Sequence, residues 1–71
     1  MATNVRTEIT GMVRRIEKQI GDVVHAGEVL LILESMKMEL PVEAPAAGTI
    51  SEIRCKEGQS VSEGDILIVL A

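Results

Sequence analysis

Short apolar runs alternate with brief polar interruptions along the whole chain. Val29-Leu30-Leu31-Ile32-Leu33 and Ile66-Leu67-Ile68-Val69-Leu70 are partly β-branched stretches, each preceded by a glycine and an acid, Gly27-Glu28 and Gly64-Asp65. A short apolar run entered through a turn predicts a buried strand. Gly21-Asp22 and Gly58-Gln59 mark further turns. One segment admits two readings. Ile9, Met12, Val13, Ile16 and Ile20 are spaced three and four apart, as on an amphipathic helix. The three-residue step from Val13 to Ile16 equally fits a strand interrupted by a β-bulge.

Laying the chain on itself favours the strand. Gly11-Met12-Val13-Arg14-Arg15-Ile16 aligns with Gly48-Thr49-Ile50-Ser51-Glu52-Ile53 at an offset of 37 residues. The same offset pairs Gly21 with Gly58, Val24 with Val61, Gly27 with Gly64, Leu30 with Leu67 and Leu33 with Leu70, without a gap. The mate of Ile20 is Glu57, which breaks the helical stripe, whereas the step from Val13 to Ile16 recurs as Ile50 to Ile53. A bulged strand in each half is therefore expected. The matching glycines predict backbone positions of positive φ. Two copies, residues 5–33 and 42–70, are too few for a solenoid. They predict two similar halves packed about a pseudo-twofold axis, each burying the other's apolar face. Residues 34–41 have no complete counterpart, since their mate is the gap between the chain ends. A hairpin is thus expected at one pole and both termini at the other.

A chain of 71 residues with 46% hydrophobic content supports one small domain, residues 1–71. Cys55 is the only cysteine, so neither a disulfide nor a multi-cysteine zinc site can staple it. A lone thiol fits a reducing compartment. No run approaches a membrane span, and Met1 to Asn4 lacks the basic-then-apolar layout of a signal peptide. A soluble, cytoplasmic protein with no membrane association is expected. The net charge of −4 and the absence of Phe, Trp and Tyr argue against a nucleic-acid partner. One histidine, no tyrosine and no visible nucleophile–base pair, phosphate loop or metal cluster point away from an enzyme and from a metal site.

The hairpin carries the candidate chemistry. It reads Glu34-Ser35-Met36-Lys37-Met38-Glu39-Leu40-Pro41. Lysine at a tip is ordinarily a solvated charge, but here it is the one protrusion without a duplicate. The methionines on either side are either core residues of the flanking strands or flexible apolar contacts for a partner. Glu34-Ser35-Met36-Lys37-Met38 resembles the attachment motif of biotinyl domains, in which a lysine between two methionines is acylated by biotin protein ligase. The resemblance extends from about Val5 to Leu70. It includes Ala44-Pro45-Ala46-Ala47-Gly48-Thr49-Ile50 and Glu57-Gly58-Gln59-Ser60-Val61. Ser35 stands where the family most often has alanine. Glu8-Ile9-Thr10-Gly11 replaces a common Pro-Met-Pro-Gly stretch, keeping the glycine. The gapless repeat leaves no room for the "thumb" loop of some bacterial carriers, and no Ala/Pro-rich arm is present, so the chain looks like the small free-standing type.

The resemblance implies an all-β fold, a flattened barrel or sandwich of two four-stranded antiparallel sheets with the lysine at a hairpin tip. It implies biotin on Lys37, with Met36, Met38 and Glu34 read by the ligase and the carboxylase subunits. In such systems a biotin carboxylase uses ATP and bicarbonate to carboxylate the biotin ring. A carboxyltransferase then passes the carboxyl group to an acceptor such as an acyl-CoA, as in acetyl-CoA carboxylase. The implied role is a non-catalytic carrier, monomeric in isolation. Two rivals remain, namely lipoyl attachment on the same fold and an unmodified interaction scaffold. The other chemistry-bearing residues read as ordinary. His25 is expected in a surface loop, and Arg14-Arg15 and Glu17-Lys18 on a solvated face. Cys55, the mate of Lys18, is expected to point outward as an exposed thiol whose pKa Arg54 and Lys56 lower somewhat.

Overall fold

The computed structural model describes residues 2–71, all in strands, turns and connecting segments. Eight strands follow one another: β1 Thr3–Arg6, β2 Gly11–Ile16, β3 Val23–Val24, β4 Val29–Ser35, β5 Met38–Glu43, β6 Gly48–Ile53, β7 Ser60–Val61 and β8 Ile66–Leu70. They form two four-stranded antiparallel sheets, ordered β1-β8-β6-β3 and β5-β4-β2-β7. The second order is the first with every strand exchanged for its repeat mate. The helical reading of Ile9 to Ile20 is overturned: β2 is a strand, with a bulge between Val13 and Arg15. β6 carries the matching bulge between Ile50 and Glu52. These account for the three-residue step in each half.

The pseudo-twofold relation extends to individual hydrogen bonds. The Gly21 N–H donates to the Ile50 carbonyl at 2.8 Å, and its mate, the Gly58 N–H, donates to the Val13 carbonyl at 2.7 Å. The Gly27 N–H reaches the Ala44 carbonyl and the Gly64 N–H the Thr7 carbonyl, both at 2.8 Å. Glu28 and Asp65 each accept the backbone N–H three residues earlier, from His25 and Ser62, at 2.9 and 2.8 Å. The acid after each glycine therefore closes the turn that feeds β4 or β8. The glycines at 21, 27, 58 and 64 have φ of +87° to +97°, as their duplicated positions predicted. Gly11 and Gly48 are required for a different reason, because a Cβ there would lie 2.6 Å from the Glu34 carbonyl oxygen and 2.9 Å from that of Ala71.

The core lies between the sheets and is built of mated pairs: Val13 with Ile50, Val24 with Val61, Leu30 with Leu67, Leu31 with Ile68 and Leu33 with Leu70. All are buried, so each half covers the other's apolar face. The body is elongated, 33 × 17 × 17 Å. At one end β4 and β5 pair as Leu33 with Leu40, closing into the hairpin. At the other, Leu70 pairs with Thr3, the mates of those residues, and brings the chain ends together.

Candidate functional site

The β4–β5 ladder ends with Glu34 opposite Glu39 and Ser35 opposite Met38, leaving Met36 and Lys37 as a two-residue connection. Both have positive φ, 53° and 65°. Positive φ at both central residues is the requirement of a type I′ turn, which matches the twist of the flanking strands and is ordinarily filled by Asn-Gly. An L side chain in that region costs roughly 1–2 kcal/mol. The tip therefore keeps two long side chains where stability alone favours small ones.

Met36 is 89% exposed and Met38 56% exposed, so neither belongs to the core. Lys37 is exposed and forms no ion pair among the described residues. Residues of the β2 segment brace the root of the hairpin. The Ser35 hydroxyl donates to the Thr10 carbonyl at 3.2 Å. The Thr10 hydroxyl oxygen accepts the Glu63 N–H, also at 3.2 Å. Arg14, at the β2 bulge, donates to Glu34 Oε1 at 3.0 Å and lies 3.4 Å from Glu39 Oε2. A single guanidinium thus spans the two carboxylates that face each other across the strand pair. Arg14 lies on a solvated face, as expected, and only its contacts with the two acids go beyond that expectation. Its mate is the uncharged Ser51, whose hydroxyl donates to the Val69 carbonyl at 3.1 Å. That asymmetry in an otherwise duplicated bulge was the available signal.

No cluster of three or more His, Cys, Asp or Glu placed to hold a metal ion occurs among the described residues. A groove runs along β1 and β5, lined by Val5, Thr7, Ile9, Leu40, Pro41 and Val42. It lies below the tip and is open to solvent. What the hairpin offers chemically is one accessible primary amine between two exposed thioethers, carried at the far end of an elongated β body.

The sequence profile of the family described as "Biotin-requiring enzyme", the biotin–lipoyl attachment domain, matches residues 2–70. The chain belongs to this family. It is 41% identical over 71 residues to the biotinylated protein TB7.3 homolog of Mycobacterium leprae, covering all of both chains. It is 39% identical to the biotin/lipoyl attachment protein of Bacillus subtilis, over 94% of this chain and 92% of that protein. Among solved structures, the urea carboxylase of Kluyveromyces lactis matches all of this chain with a TM-score of 0.95 and 34% identity. The match spans 6% of that chain. As a domain of this family, the chain has the expected fold of two four-stranded sheets with the hairpin at one pole.

Two further expectations meet the structure differently. His25 is exposed in the turn before β4, as expected. Cys55 is not exposed. It is only 6% exposed and packs in the core, and burial raises its pKa above the ordinary 9.0. The flanking cations Arg54 and Lys56 are exposed and do not offset that desolvation. The error came from treating Lys18 as an outward residue. Its side chain is only 25% exposed, running along the surface to an ion pair with Glu28. A lysine can place its stem at a half-buried position and keep its charge in water. A short thiol at the mated position goes inward.

Proposed function

We infer that this protein is a biotin carboxyl carrier whose Lys37 is acylated by a biotin protein ligase and whose biotin serves a biotin carboxylase and a carboxyltransferase in turn. The observation that carries this reading is the tip itself: an exposed lysine, without an ion pair among the described residues, in a type I′ turn between two exposed methionines. The names of full-length relatives, a biotinylated protein and a biotin/lipoyl attachment protein, support biotin as the group carried. The residues fit it, since the only covalent demand is an amine that a second active site can surround. The Lys37 Nζ attacks the acyl carbon of biotinyl-adenylate, an N–C amide bond forms, the C–O bond to AMP breaks and the amine loses a proton to the ligase. Glu34 and Glu39 are held by Arg14 and leave that proton transfer to the ligase.

Once bound, biotin supplies a ureido nitrogen that takes up and releases a carboxyl group. Met36 and Met38 offer each partner the same adaptable apolar contact. Glu34 and Glu39 add a charge test that sorts partners. The domain itself makes no catalytic contribution beyond presentation. Acylation converts an ammonium to a neutral amide, moving the net charge from −4 to −5. A cytoplasmic site of action accords with a single free thiol. The acceptor is an acyl-CoA or another small molecule that a carboxylase of this kind modifies, such as the acetyl-CoA from which fatty acid biosynthesis starts.

The test uses biotinylated protein, a biotin carboxylase, ATP and labelled bicarbonate. Acid-labile label on the biotinylated chain, absent without ATP and absent from unmodified protein, supports the carrier function. Biotinylated chain that takes up no label from carboxylases of several classes would refute it.

A further inference from the structure

Glu34 lies three residues before Lys37 and Glu39 two after it, at the last position but one of the ladder on either side of the turn. An ammonium with two carboxylates so close on a hairpin has an obvious alternative to solvent, which is to fold back and pair with one of them. Such a pair holds the amine protonated and draws Nζ towards the hairpin root. Yet Lys37 makes no ion pair among the described residues, and the one cation on both carboxylates is Arg14. Arg14 stands at the β2 bulge, and the repeat mate, Ser51, shows that the bulge itself does not need arginine. With side-chain exposures of 51% for Arg14, 32% for Glu34 and 56% for Glu39, these pairs add little stability. Stability does not explain the residue.

We propose that Arg14 is a positioning residue that occupies Glu34 and Glu39 so that the Lys37 amine stays free for acylation. It acts through the two carboxylates and touches neither the amine nor any ligand. A guanidinium suits the task, since its planar fork reaches two acceptors at once and stays charged at every working pH. The proposal rests on the reading of Lys37 as the acylated residue, but concerns the amine's availability and can be tested without a ligase.

The experiment measures the rate at which a small uncharged acetylating reagent, an N-hydroxysuccinimide ester, modifies Lys37. Peptide mass spectrometry reads the product at fixed pH, with Nα-acetyl-lysine in the same tube as the internal standard. Arg14→Ala is expected to slow Lys37 acetylation by roughly threefold at low salt, the scale of one or two unit charges a few ångströms away in a watery environment. At high salt the difference should shrink towards parity. Arg14→Lys should restore part of the rate. Arg14→Ala combined with Glu34→Gln and Glu39→Gln should restore all of it, because no carboxylate then remains to trap the amine. An unchanged rate in Arg14→Ala would overturn the proposal. Equal slowing in the triple variant would overturn it too, by tracing the effect to altered hairpin shape. Failure of the ligase to modify the parent would instead count against the carrier reading and leave these rates unaffected.

Discussion

Met36 and Lys37 hold the backbone in a region that their side chains disfavour, at φ of 53° and 65°. Strain of this kind persists where the surroundings over-determine it and is concentrated at functional positions. Met36→Asn should therefore raise the free energy of unfolding by about 0.5–1 kcal/mol, because asparagine tolerates that region better. The same change should lower the efficiency of ligase modification by removing an exposed thioether. Urea denaturation and single-substrate ligase kinetics would show the two effects moving in opposite directions. Cys55 makes a second residue-level prediction. Its thiol pKa is raised by burial in the fold, so its contribution to stability is fully present below the ordinary value of 9.0. That contribution is lost as pH rises through the higher folded value, since the unfolded chain ionises first. Urea midpoints taken between pH 8 and 10.5 should fall more steeply for the parent than for Cys55→Ala. A thiol reagent at neutral pH should label Cys55 only once the protein unfolds.

Strands β2 and β4 meet where Gly11 lies against the Glu34 carbonyl, and β6 meets the chain end where Gly48 lies against Ala71. The contacts are mates, but a Cβ would come 2.6 Å from backbone oxygen at Gly11 and 2.9 Å at Gly48, so the overlap is larger at Gly11. Gly11→Ala is expected to cost about 2–3 kcal/mol and Gly48→Ala nearer 1 kcal/mol, within the range for forcing extra atoms into a packed site. Thermal or urea unfolding of the two variants would check the order, and a larger loss at Gly48 would contradict it. Elements were largely legible in the sequence because the repeat supplied two samples of each. A single copy left Ile9 to Ile20 open between helix and bulged strand, and Glu57 opposite Ile20 decided it. The side-chain arrangement at the hairpin root was less legible. Nothing in the spacing of Arg14, Glu34 and Glu39 says that β2 runs beside β4 with the arginine beside both acids. Cys55 was misplaced for a related reason: a repeat preserves backbone position, while the direction of a long amphipathic side chain is settled by local packing.

At the scale of the molecule, a duplicated β body is broken at one point, the hairpin for which attachment is proposed. The mated core pairs fix the relative position of the halves, and the pole opposite the chain ends carries Met36, Lys37 and Met38. On the proposed reading, access is provided by exposure of the tip, and tethering a reactive ring there raises its effective concentration at any active site that can dock it. The most direct test is an intact-mass spectrum of the protein produced with an active biotin ligase and free biotin, beside a Lys37→Ala variant. The account predicts one biotinyl increment on the parent and none on the variant. An unmodified parent, a lipoyl increment in its place, or a biotinyl increment that survives Lys37→Ala would contradict it.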